Sequence, residues 1–546
     1  MISQTNTSMI TGAKLLVDIL SKEGVDKVFG YPGATVLPLY DELCKVGKIK
    51  HYLTRHEQGA VHIAEGYARV SRKPAVVLVT SGPGATNTIT GILNAYADNI
   101  PLVIVTGQSE ELGANHFQEA DIVSMTKTCT KKSFCINSVD EILPTMKEVF
   151  KLAQTPPMGP VLVALKRSVL LSSIENKFEE EKYLPPISVQ TSQSNVFALI
   201  DDIKKYKKPL FLVGGGCYNI IPSLRELFNV TNLPVVNTLM GKGIVDDLSL
   251  GMIGVNGVNF ANSVLQECDL LISLGARLDT RVTGGDIEFL PNTKIVNINI
   301  EKNKTSNVTV SKEITGDITV IINQLLANIH NNKEVFPLKY GWLDRIEELR
   351  KIYQKDNLSS SLISDNGIVT EDVLRIIHEY TKKYNPIVTT DVGQHQILTS
   401  KIFKSKAPYN FLTSGGLGTM GFGMPAGIGA CIAKPDSLVI SICGDGSFQM
   451  NMQELGTCKE YNIPIKIIVM NNSSLGLVKQ AQAKYYNGRF YQSDMLNPDF
   501  VQIASAYGIL GVSINSTKEL ELALNKYITK DYPVLFDIHT INAEVV

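Results

Sequence analysis

Short apolar runs rich in Val and Ile recur along the chain, and most are followed by a helix-length amphipathic stretch. The runs are "AVVLVT" (75–80), "LVIVTG" (102–107), "VLVAL" (161–165), "LFLVGGG" (210–216), "DLLISLGAR" (269–277), "KIVNINI" (294–300), "PIVTTDVG" (386–393), "LVISICGDG" (438–446), "IKIIVMNN" (465–472) and "PVLFDIH" (533–539). Short strands that are buried on both faces and alternate with helices are typical of parallel sheets. The pattern therefore predicts an α/β fold of doubly wound parallel sheets.

Two polar stretches divide the 546 residues into three predicted domains. Residues 171–194 are charged and contain paired prolines, and residues 331–364 are again polar, so both are predicted to be exposed linkers. The domains would then be 1–170, 195–330 and 365–546, which fits a typical size of about 100–200 residues per domain.

The first and third predicted domains contain an internal repeat. "KPAVVLVTSG" at Lys73 corresponds to "KPDSLVISICGDG" at Lys434, and "NIPLVIVTG" at Asn99 corresponds to "NIPIKIIVMNN" at Asn462, at nearly the same offset. Coincidence between two α/β units is the simple alternative. Otherwise the two outer domains share a fold and are expected to face each other across a cleft.

The composition excludes several classes of function. Apolar residues make up 44% and charged residues 19%, with a net charge of −1 and no basic block, so neither a nucleic-acid nor a membrane partner is indicated. No apolar run reaches the roughly 20 residues that span a bilayer, and the start lacks a signal-peptide pattern. The eight cysteines contain no C-x-x-C pair, so we expect reduced thiols in a cytoplasmic protein.

The segment "GDGSFQMNMQELGTCKEYNIPIKIIVMNN" joins two predicted parallel strands. Asp445 follows the first strand and Asn472 follows the second, so both lie where open α/β sheets bind ligands. Gly444 and Gly446 permit close backbone approach, and the start of the helix offers free N–H groups to a phosphate. One anionic and one neutral oxygen suit Mg²⁺. A diphosphate–Mg²⁺ site is the functional interpretation; a tight turn and a strand-end cap are the structural one.

Other polar positions are individually weak signals. Glu57, in "RHEQGAVHIAEGYAR", lies between a strand and an amphipathic helix, where a Glu is usually a favourable charge at the helix start. The segments 80–88 and 413–430 are Gly-rich loops that open helices. Glu57 and these two loops indicate a ligand site only when they are considered together.

Taken together, these segments resemble the thiamine-diphosphate-dependent enzymes, and among them most closely the large, catalytic subunits of acetolactate (acetohydroxyacid) synthases. The resemblance covers nearly the whole chain and rests on motifs in the family's order: "FGYPGATVLPLYD", "RHEQGAVHIAEGYAR", "VTSGPGATNTITGI", "VTGQ", "HFQEADIV", "GARLDTRVTG", "TTDVGQHQ", "LTSGGLGTMGFGMPA" and "GDGSFQMNMQEL…NN". The G-D-G…N-N element is the most specific of them for the cofactor class.

The resemblance implies a set of residues at thiamine diphosphate. Glu57 would bond to the aminopyrimidine ring and promote its imino tautomer, with Gln118 as a second catalytic residue. Met420 would hold the bent conformer, although an ordinary core Met is the alternative. Mg²⁺ would be held by Asp445, Asn472 and the carbonyl of Ser474, where the family often has Glu. The other cofactor contacts would be Pro32, Gly33, Asn87, Gln394, His395, Gly418, Gly444, Gly446, Ser447, Leu475 and Gly476.

The resemblance also implies a flavin and a substrate pocket. The middle domain is similar to the FAD-binding domain of these synthases, in which FAD is structural and does no redox work. The flavin contacts would be Lys127, Gly214, Gly215, Gly216, Thr238, Leu239, Asn256, Gly275, Arg277, Asp279, Glu301 and Asp317. The substrate residues would be Phe117, Lys131, Arg281, Leu477 and Ala481, with Arg281 clamping the acceptor carboxylate.

The implied reaction decarboxylates pyruvate and transfers the hydroxyethyl unit to a second 2-keto acid, giving 2-acetolactate for branched-chain amino-acid biosynthesis. In the family, the residue at Glu57 reaches a cofactor held by the other subunit, so an obligate homodimer is implied. A dimer of dimers and a small regulatory subunit are left open.

Two positions depart from the family in the acceptor pocket. Ala481 stands where the synthases usually have Trp, and Leu477 stands where Met is usual. The pocket should therefore be roomier. Because one methylene contact is worth only about 1–3 kcal/mol, the change should alter acceptor preference and not reaction type.

Three competing functions follow from these residues. A thiamine diphosphate and FAD carboligase could transfer the same unit to a different ketone acceptor, which the altered pocket keeps open. A non-catalytic paralogue would have lost Glu57 or Asp445, and both are present. A simple decarboxylase or oxidase is weakly disfavoured by "GARLDTRVTG".

Overall fold

The computed structural model describes residues 9–113, 115–175, 193–285, 287–358 and 368–541. The chain forms two compact units. The first unit comprises Met1–Pro186, Pro386–Gln396 and Leu412–Val546, and the second comprises Ile187–Asn385 and Ile397–Phe411. Part of the predicted linker 171–194 lies outside the described residues.

The secondary structure alternates strands and helices throughout. Residues 9–175 contain strands β1 (Met9–Thr11), β2 (Lys27–Tyr31), β3 (Lys50–Leu53), β4 (Ala75–Val79), β5 (Leu102–Gln108), β6 (Lys132–Ile136), β7 (Val161–Lys166) and β8 (Ser173–Glu175). Their helices are α1 (Gly12–Lys22), α2 (Leu37–Val46), α3 (Glu57–Ser71), α4 (Pro83–Thr86), α5 (Ile89–Ala97), α6 (Ile122–Thr126), α7 (Ile142–Gln154) and α8 (Arg167–Leu171).

The middle of the chain follows the same alternation. Its strands are β9 (Pro209–Val213), β10 (Val235–Asn237), β11 (Ser249–Met252), β12 (Leu270–Leu274), β13 (Lys294–Asn299) and β14 (Lys312–Thr315). Its helices are α9 (Gln193–Lys205), α10 (Ile221–Thr231), α11 (Asn259–Glu267), α12 (Thr280–Thr283), α13 (Ile318–Asn331) and α14 (Tyr340–Leu358).

The last part of the chain repeats the arrangement. Its strands are β15 (Ile368–Val369), β16 (Ile387–Thr390), β17 (Phe411–Leu412), β18 (Val439–Gly444), β19 (Lys466–Asn471), β20 (Leu510–Ile514) and β21 (Val534–Ile541). Its helices are α15 (Thr370–Thr381), α16 (Gln394–Ile402), α17 (Gly423–Ala433), α18 (Asp445–Phe448), α19 (Leu455–Glu460), α20 (Gly476–Tyr485), α21 (Phe500–Ala506) and α22 (Thr517–Tyr527). Short 3-10 helices lie at Ala34–Val36, Val139–Glu141, Gly215–Cys217, Leu239–Gly241, Lys382–Tyr384 and Met452–Glu454.

The two outer parts of the first unit contain parallel sheets with the same strand order. Five neighbouring strands of the first sheet run β2–β4–β5–β7–β6, and five of the last sheet run β16–β18–β19–β21–β20. The segments matched in the sequence repeat are equivalent strands, β4 with β18 and β5 with β19. The predicted relationship between the outer domains is therefore confirmed, as is the prediction of parallel α/β sheets.

The second unit contains one six-stranded parallel sheet with the order β11–β10–β9–β12–β13–β14. The first strand, β9, lies in the middle of the sheet. β10 and β11 extend the sheet on one side of it, and β12, β13 and β14 extend it on the other. The strand order thus reverses between β9 and β12, which is where doubly wound sheets bind ligands.

A helix occupies part of the predicted linker 331–364. In α14, Trp342, Ile346 and Leu349 are buried in an apolar cluster of the second unit that also includes Leu271 of β12. This part of the segment therefore belongs to the core of the second unit.

Two glycines let α3 and α17 pack in backbone contact within the first unit. A Cβ at Gly66 would collide with the carbonyl oxygen of Ala426, and a Cβ at Gly429 would collide with that of Ile63. Apolar side chains of both helices join one buried cluster with both outer sheets. The two halves of the first unit consequently share a core.

A buried charge network lies beside this helix pair. Arg69 of α3 donates to Glu65 and, at 2.7 Å, to Asp98, and the side chains of all three residues are at most 4% exposed. Asn94 donates to Glu65 at 2.8 Å and accepts a hydrogen bond from Ser414. Burial raises the pKa of Glu65, and the adjacent guanidinium opposes this shift. The network connects the first sheet's helices to the loop that follows β17.

Two further observations concern the chain as a whole. Among the described residues, every helix is too short or too polar to cross a membrane. The eight cysteines are unpaired; Cys44 is exposed, Cys135 is half-buried and the other six are buried.

We expect Arg69→Met to lower the free energy of unfolding of the first unit by about 3–5 kcal/mol, because it leaves two buried carboxylates without their cation. Thermal unfolding followed by far-UV circular dichroism and calorimetry measures the loss. Lys132→Met is the control in the same unit, since Lys132 forms an exposed pair with Glu148 and such pairs are worth about 0–1 kcal/mol. Equal losses in both variants would contradict the importance of the network.

Candidate active site

The structure brings Asp445 and Asn472 to the same edge of the last sheet. The strands β18 and β19 are parallel neighbours, and Gly444 pairs with Met470, so the residues that follow them emerge side by side. Asp445 is only 2% exposed, and burial raises the pKa of its carboxyl group. The backbone N–H of Gly446 donates to Asp445 Oδ1 at 2.8 Å.

The loops after β16, β18 and β19 converge at this edge. The backbone N–H of Ser474 donates to Asn472 Oδ1 at 3.1 Å. A Cβ at Gly476 would collide with Gln394 Oε1 and lie 3.4 Å from Asn472 Nδ2. A Cβ at Gly444 would lie 2.9 Å from the ring of His395. The remaining predicted contacts on this side are Ser447, in α18, and Leu475, just before α20.

Two polar residues that the sequence patterns did not single out, Asn497 and Asp537, support the site together with Asn471. Asn497 Nδ2 donates to Asp445 Oδ2 at 2.8 Å and to Asn471 Oδ1 at 2.9 Å, and Asn471 Nδ2 donates to Asp537 Oδ1 at 3.0 Å. The side chain of Asn471, the first Asn of "NN", therefore forms hydrogen bonds within the protein. Asn472 is the Asn of the pair that lies at the carboxyl edge of the sheet. A polar Asp inside the apolar run "PVLFDIH" was the one available signal for Asp537.

These residues fit a diphosphate with Mg²⁺. Asp445 supplies one buried carboxylate and Asn472 supplies a neutral oxygen, and Gly444 and Gly476 bring the backbone close to the polar side chains of His395 and Gln394. Within the described parts of the chain, no cluster of three His, Cys, Asp or Glu residues forms an alternative metal site. A cation bound here would complete its shell with phosphate and water oxygens.

A second group of predicted residues meets at the ends of β2 and β4 in the first sheet. Asn87 Nδ2 donates to Glu57 Oε2 at 3.0 Å. A Cβ at Gly84 would lie 3.3 Å from Glu57 Oε1, and Cβ atoms at Gly33 or Gly84 would crowd the side chain of Thr80. Pro32 precedes this glycine, directly after β2. Glu57 is therefore packed closely against the glycine-containing loops that follow β2 and β4.

The Gly-rich loop before α17 is tied down at several points. The N–H groups of Gly418 and Thr419 donate to Ser414 Oγ at 2.9 and 2.8 Å, and Asn451 Nδ2 donates to the carbonyl of Gly421 at 2.8 Å. Met420, half-buried, lies between these anchors. These hydrogen bonds fix the backbone on both sides of Met420.

The predicted flavin residues of the second unit all follow strands at one edge of its sheet. Gly214–Gly216 follow β9, and Gly275, Arg277 and Asp279 follow β12, on the two sides of the strand-order reversal. The others follow the remaining strands: Thr238 and Leu239 after β10, Asn256 after β11, Glu301 after β13 and Asp317 after β14. Lys127, exposed, belongs to the first unit.

Two of these acidic residues have structural partners. Asp317 Oδ1 accepts from the N–H of Thr319 at 2.8 Å and caps α13. Asp279 Oδ1 accepts from the N–H groups of Arg281 and Val282, at 3.1 and 3.3 Å, and caps α12.

The predicted substrate residues are in varied environments. Phe117 is 90% exposed. Gln118 has a φ of 59° and packs against Gly82, where an added Cβ would lie 2.7 Å from the Cβ of Gln118. Lys131 Nζ donates to the carbonyls of Leu152 and Thr155 at 2.7 and 2.5 Å. The ammonium group therefore binds the carbonyls at the end of α7, which gives Lys131 a structural role in the first unit.

The other three substrate candidates lie on short helices. Arg281 is exposed in α12 of the second unit. Leu477 and Ala481 are four residues apart in α20, so they share one face of that helix. Leu477 is 38% exposed, consistent with an open pocket wall.

Comparison with known proteins gives a consistent result along the chain. Residues 10–125, 196–325 and 391–538 match three descriptions: "Thiamine pyrophosphate enzyme, N-terminal TPP binding domain", "central domain" and "C-terminal TPP binding domain". These descriptions define the class.

Individual relatives narrow the class. The "Acetolactate synthase catalytic subunit, mitochondrial" of Saccharomyces cerevisiae is 37% identical over 97% of this chain and 80% of its own length. The "Acetolactate synthase isozyme 2 large subunit" of Escherichia coli is 38% identical over 97% of this chain and 95% of its own. The "Probable acetolactate synthase large subunit" of Methanocaldococcus jannaschii is 40% identical over 96% and 91%. The chain belongs to the acetolactate synthase large (catalytic) subunits among the thiamine pyrophosphate enzymes.

We expect Gly214→Ala to destabilise the second unit by about 1–3 kcal/mol, as overpacking does, because the new Cβ would collide with Ala276 and Gly275. The single tryptophan, Trp342, is buried in this unit, so its fluorescence reports the unfolding midpoint. Gly341→Ala is the control, since nothing lies within 4 Å of its added Cβ. An unchanged midpoint for Gly214→Ala would contradict the close packing of the two loops.

Proposed function

We propose that this protein is an acetolactate synthase, which decarboxylates pyruvate with thiamine diphosphate and transfers the two-carbon unit to a second 2-keto acid. The observation that carries the proposal is the pair of polar groups at the strand ends of two related sheets. One contains Glu57, bonded to Asn87; the other contains Asp445 and Asn472 at the ends of neighbouring strands. Family membership supports the same reaction.

When bound, thiamine diphosphate supplies the electron sink for decarboxylation and carbon–carbon bond formation. Glu57 holds or shares a proton with a ring nitrogen of the cofactor, and Asn87 keeps the Glu57 carboxyl group oriented. Asp445, Asn472 and the Ser474 carbonyl bind Mg²⁺, while Gln394, His395 and the glycine N–H groups bind the diphosphate. Gln118 lies beside Gly82 and contacts the substrate.

FAD is the proposed ligand of the second unit. The glycines after β9 and β12 meet at the strand-order reversal, where a Cβ on Gly214 would fill the space between the loops. Glycine-rich loops at a strand-order reversal are where doubly wound sheets bind dinucleotides, because the backbone there can approach the ligand closely. Arg277 and the other strand-end residues contact it, and its role is structural.

The proposed assembly is an obligate homodimer, in which Glu57 serves the cofactor bound by the other subunit. The support is the family's arrangement together with the two groups of polar residues, one at Glu57 and one at Asp445. A dimer of dimers, a small regulatory subunit and a cytoplasmic location stay predictions.

We expect the purified protein, supplied with pyruvate, Mg²⁺, thiamine diphosphate and FAD, to form acetolactate, scored as acetoin after acid decarboxylation. Glu57→Gln should lower kcat by about 100-fold or more, because general acid–base groups contribute about 10²–10⁴-fold, while calorimetric binding of thiamine diphosphate persists. Glu148→Gln is the control of the same chemistry, since Glu148 pairs with Lys132 at the surface. Full turnover by Glu57→Gln would reject the assigned role.

The second candidate is transfer to a different ketone, favoured by the small side chain of Ala481 beside the exposed Leu477. We expect Ala481→Trp to shift the preference between 2-ketobutyrate and pyruvate toward 2-ketobutyrate by about tenfold or more, since one methylene contact is worth about 1–3 kcal/mol. Competition between the two acceptors measures the ratio, and Ala483→Trp, on another face of α20, is the control.

Product formed only after another ketone is added would favour the second candidate. Acetolactate from pyruvate alone, with the expected shift in Ala481→Trp, would favour the first.

A further inference from the structure

The residues just before α3 are bound by a segment of the last sheet's half of the first unit. Glu454, whose side chain is completely buried at 0% exposed, is the centre of this contact. Its Oε1 accepts from the backbone N–H of Arg55 at 2.9 Å and from that of His56 at 3.0 Å. One carboxylate oxygen therefore satisfies two consecutive N–H groups directly before Glu57.

The neighbouring side chains of the same segment reinforce the contact. Thr457 Oγ1 donates to Glu454 Oε2 at 2.7 Å, which orients the carboxyl group. Tyr461 Oη accepts from the backbone N–H of Leu53 at 2.9 Å, and Arg55 pairs with Glu460 at 2.6 Å. The corner formed by residues 53–56 is thus fixed mainly through its backbone, since a partly exposed ion pair is worth only about 0–1 kcal/mol.

The first turn of α3 packs directly on this carboxyl group. A Cβ at Gly59 would collide with Glu454 Oε1, so glycine is required for the approach. A carboxylate near the N-terminus of a helix is also favoured by the helix dipole. Burial raises the pKa of Glu454 to about 7, and the hydrogen bonds from Thr457, Arg55 and His56 oppose this shift.

We propose that Glu454 is a positioning residue for Glu57: it holds the backbone from which Glu57 projects, while Asn87 orients the Glu57 carboxyl group. The proposal rests on the proposed function of Glu57. Glu454 acts from the protein side of α3 and does not itself touch the cofactor. Because a misplacement of about 1 Å at a catalytic group costs up to about 100-fold in rate, loosening this corner should reduce turnover more than substrate binding.

Kinetics of four variants test the proposal. We expect Glu454→Ala to lower kcat by about 10–100-fold with the KM for pyruvate changed less than threefold. Glu454→Gln should restore most of kcat, because its carbonyl oxygen still accepts both N–H groups. Thr457→Val, which removes the hydrogen bonds to Glu454 Oε2 and to the carbonyl of Leu53, should lower kcat about three- to tenfold, and it serves if Glu454→Ala does not fold. Glu460→Gln, which neutralises the partly exposed partner of Arg55 and leaves the hydrogen bonds of Glu454 in place, should leave kcat unchanged.

A double-mutant cycle separates positioning from general destabilisation. In the Glu57→Gln background, Glu454→Ala should change kcat by less than threefold, since the group it positions is already lost. The same fold-loss in both backgrounds would overturn the proposal, as would unchanged kcat in Glu454→Ala and Thr457→Val.

Amide hydrogen exchange gives a readout that does not depend on activity. Exchange at Arg55 and His56 should be faster in Glu454→Ala than in the wild type and unchanged in Glu460→Gln; equal exchange in Glu454→Ala would overturn the proposal. If wild-type protein formed no acetolactate, the proposed function would fail, and the exchange at these two amides would still decide whether Glu454 holds the corner.

Discussion

The close packing of α3 against α17 is the contact on which the rest of the first unit depends. Helices normally pack with axes about 8–10 Å apart, and here Gly66 and Gly429 each let a carbonyl oxygen of the facing helix take the place that a Cβ would occupy. The two related sheets are thereby joined through one apolar cluster. Because α3 begins at Glu57 and the loop before α17 contains Met420, the same packing governs where both of these residues are presented. The buried Arg69–Glu65–Asp98 group also ties α3 to the loop before α17, because Asp98 accepts hydrogen bonds from the backbone N–H groups of Gly415 and Gly416.

The repeated sheet explains why chemistry is found at two corresponding edges. In both halves, polar residues follow the strands at their carboxyl ends: Glu57 follows β3 and Asn87 follows β4, and Asp445 and Asn472 follow β18 and β19. The two acids nevertheless differ in burial, since Asp445 is only 2% exposed and Glu57 is half-buried. Under the proposed function, Glu57 would face a ring of the cofactor, and Asp445 with Asn472 would face phosphate and metal.

Strand positions and strand-end residues could be predicted from the sequence, whereas their supports could not. The ten apolar runs are all strands, and Asp445 and Asn472 meet because parallel neighbours end at one edge. Asn497 and Glu454, by contrast, reach their partners through hydrogen bonds between distant segments, and no local period encodes such contacts. In α14, the charged composition suggested a linker, although Trp342, Ile346 and Leu349 recur at helical spacing and are buried. Lys131 matched a substrate position by resemblance, yet its ammonium binds the carbonyls that end α7.

The most direct test of the account is an experimental structure of the protein with thiamine diphosphate and Mg²⁺. We expect the diphosphate and the cation between the ends of β18 and β19, within ligand distance of Asp445 and Asn472, and the aminopyrimidine ring within hydrogen-bond distance of Glu57 of the partner subunit. Cofactor density elsewhere, or a Glu57 carboxyl group that faces away from the ring, would contradict the account.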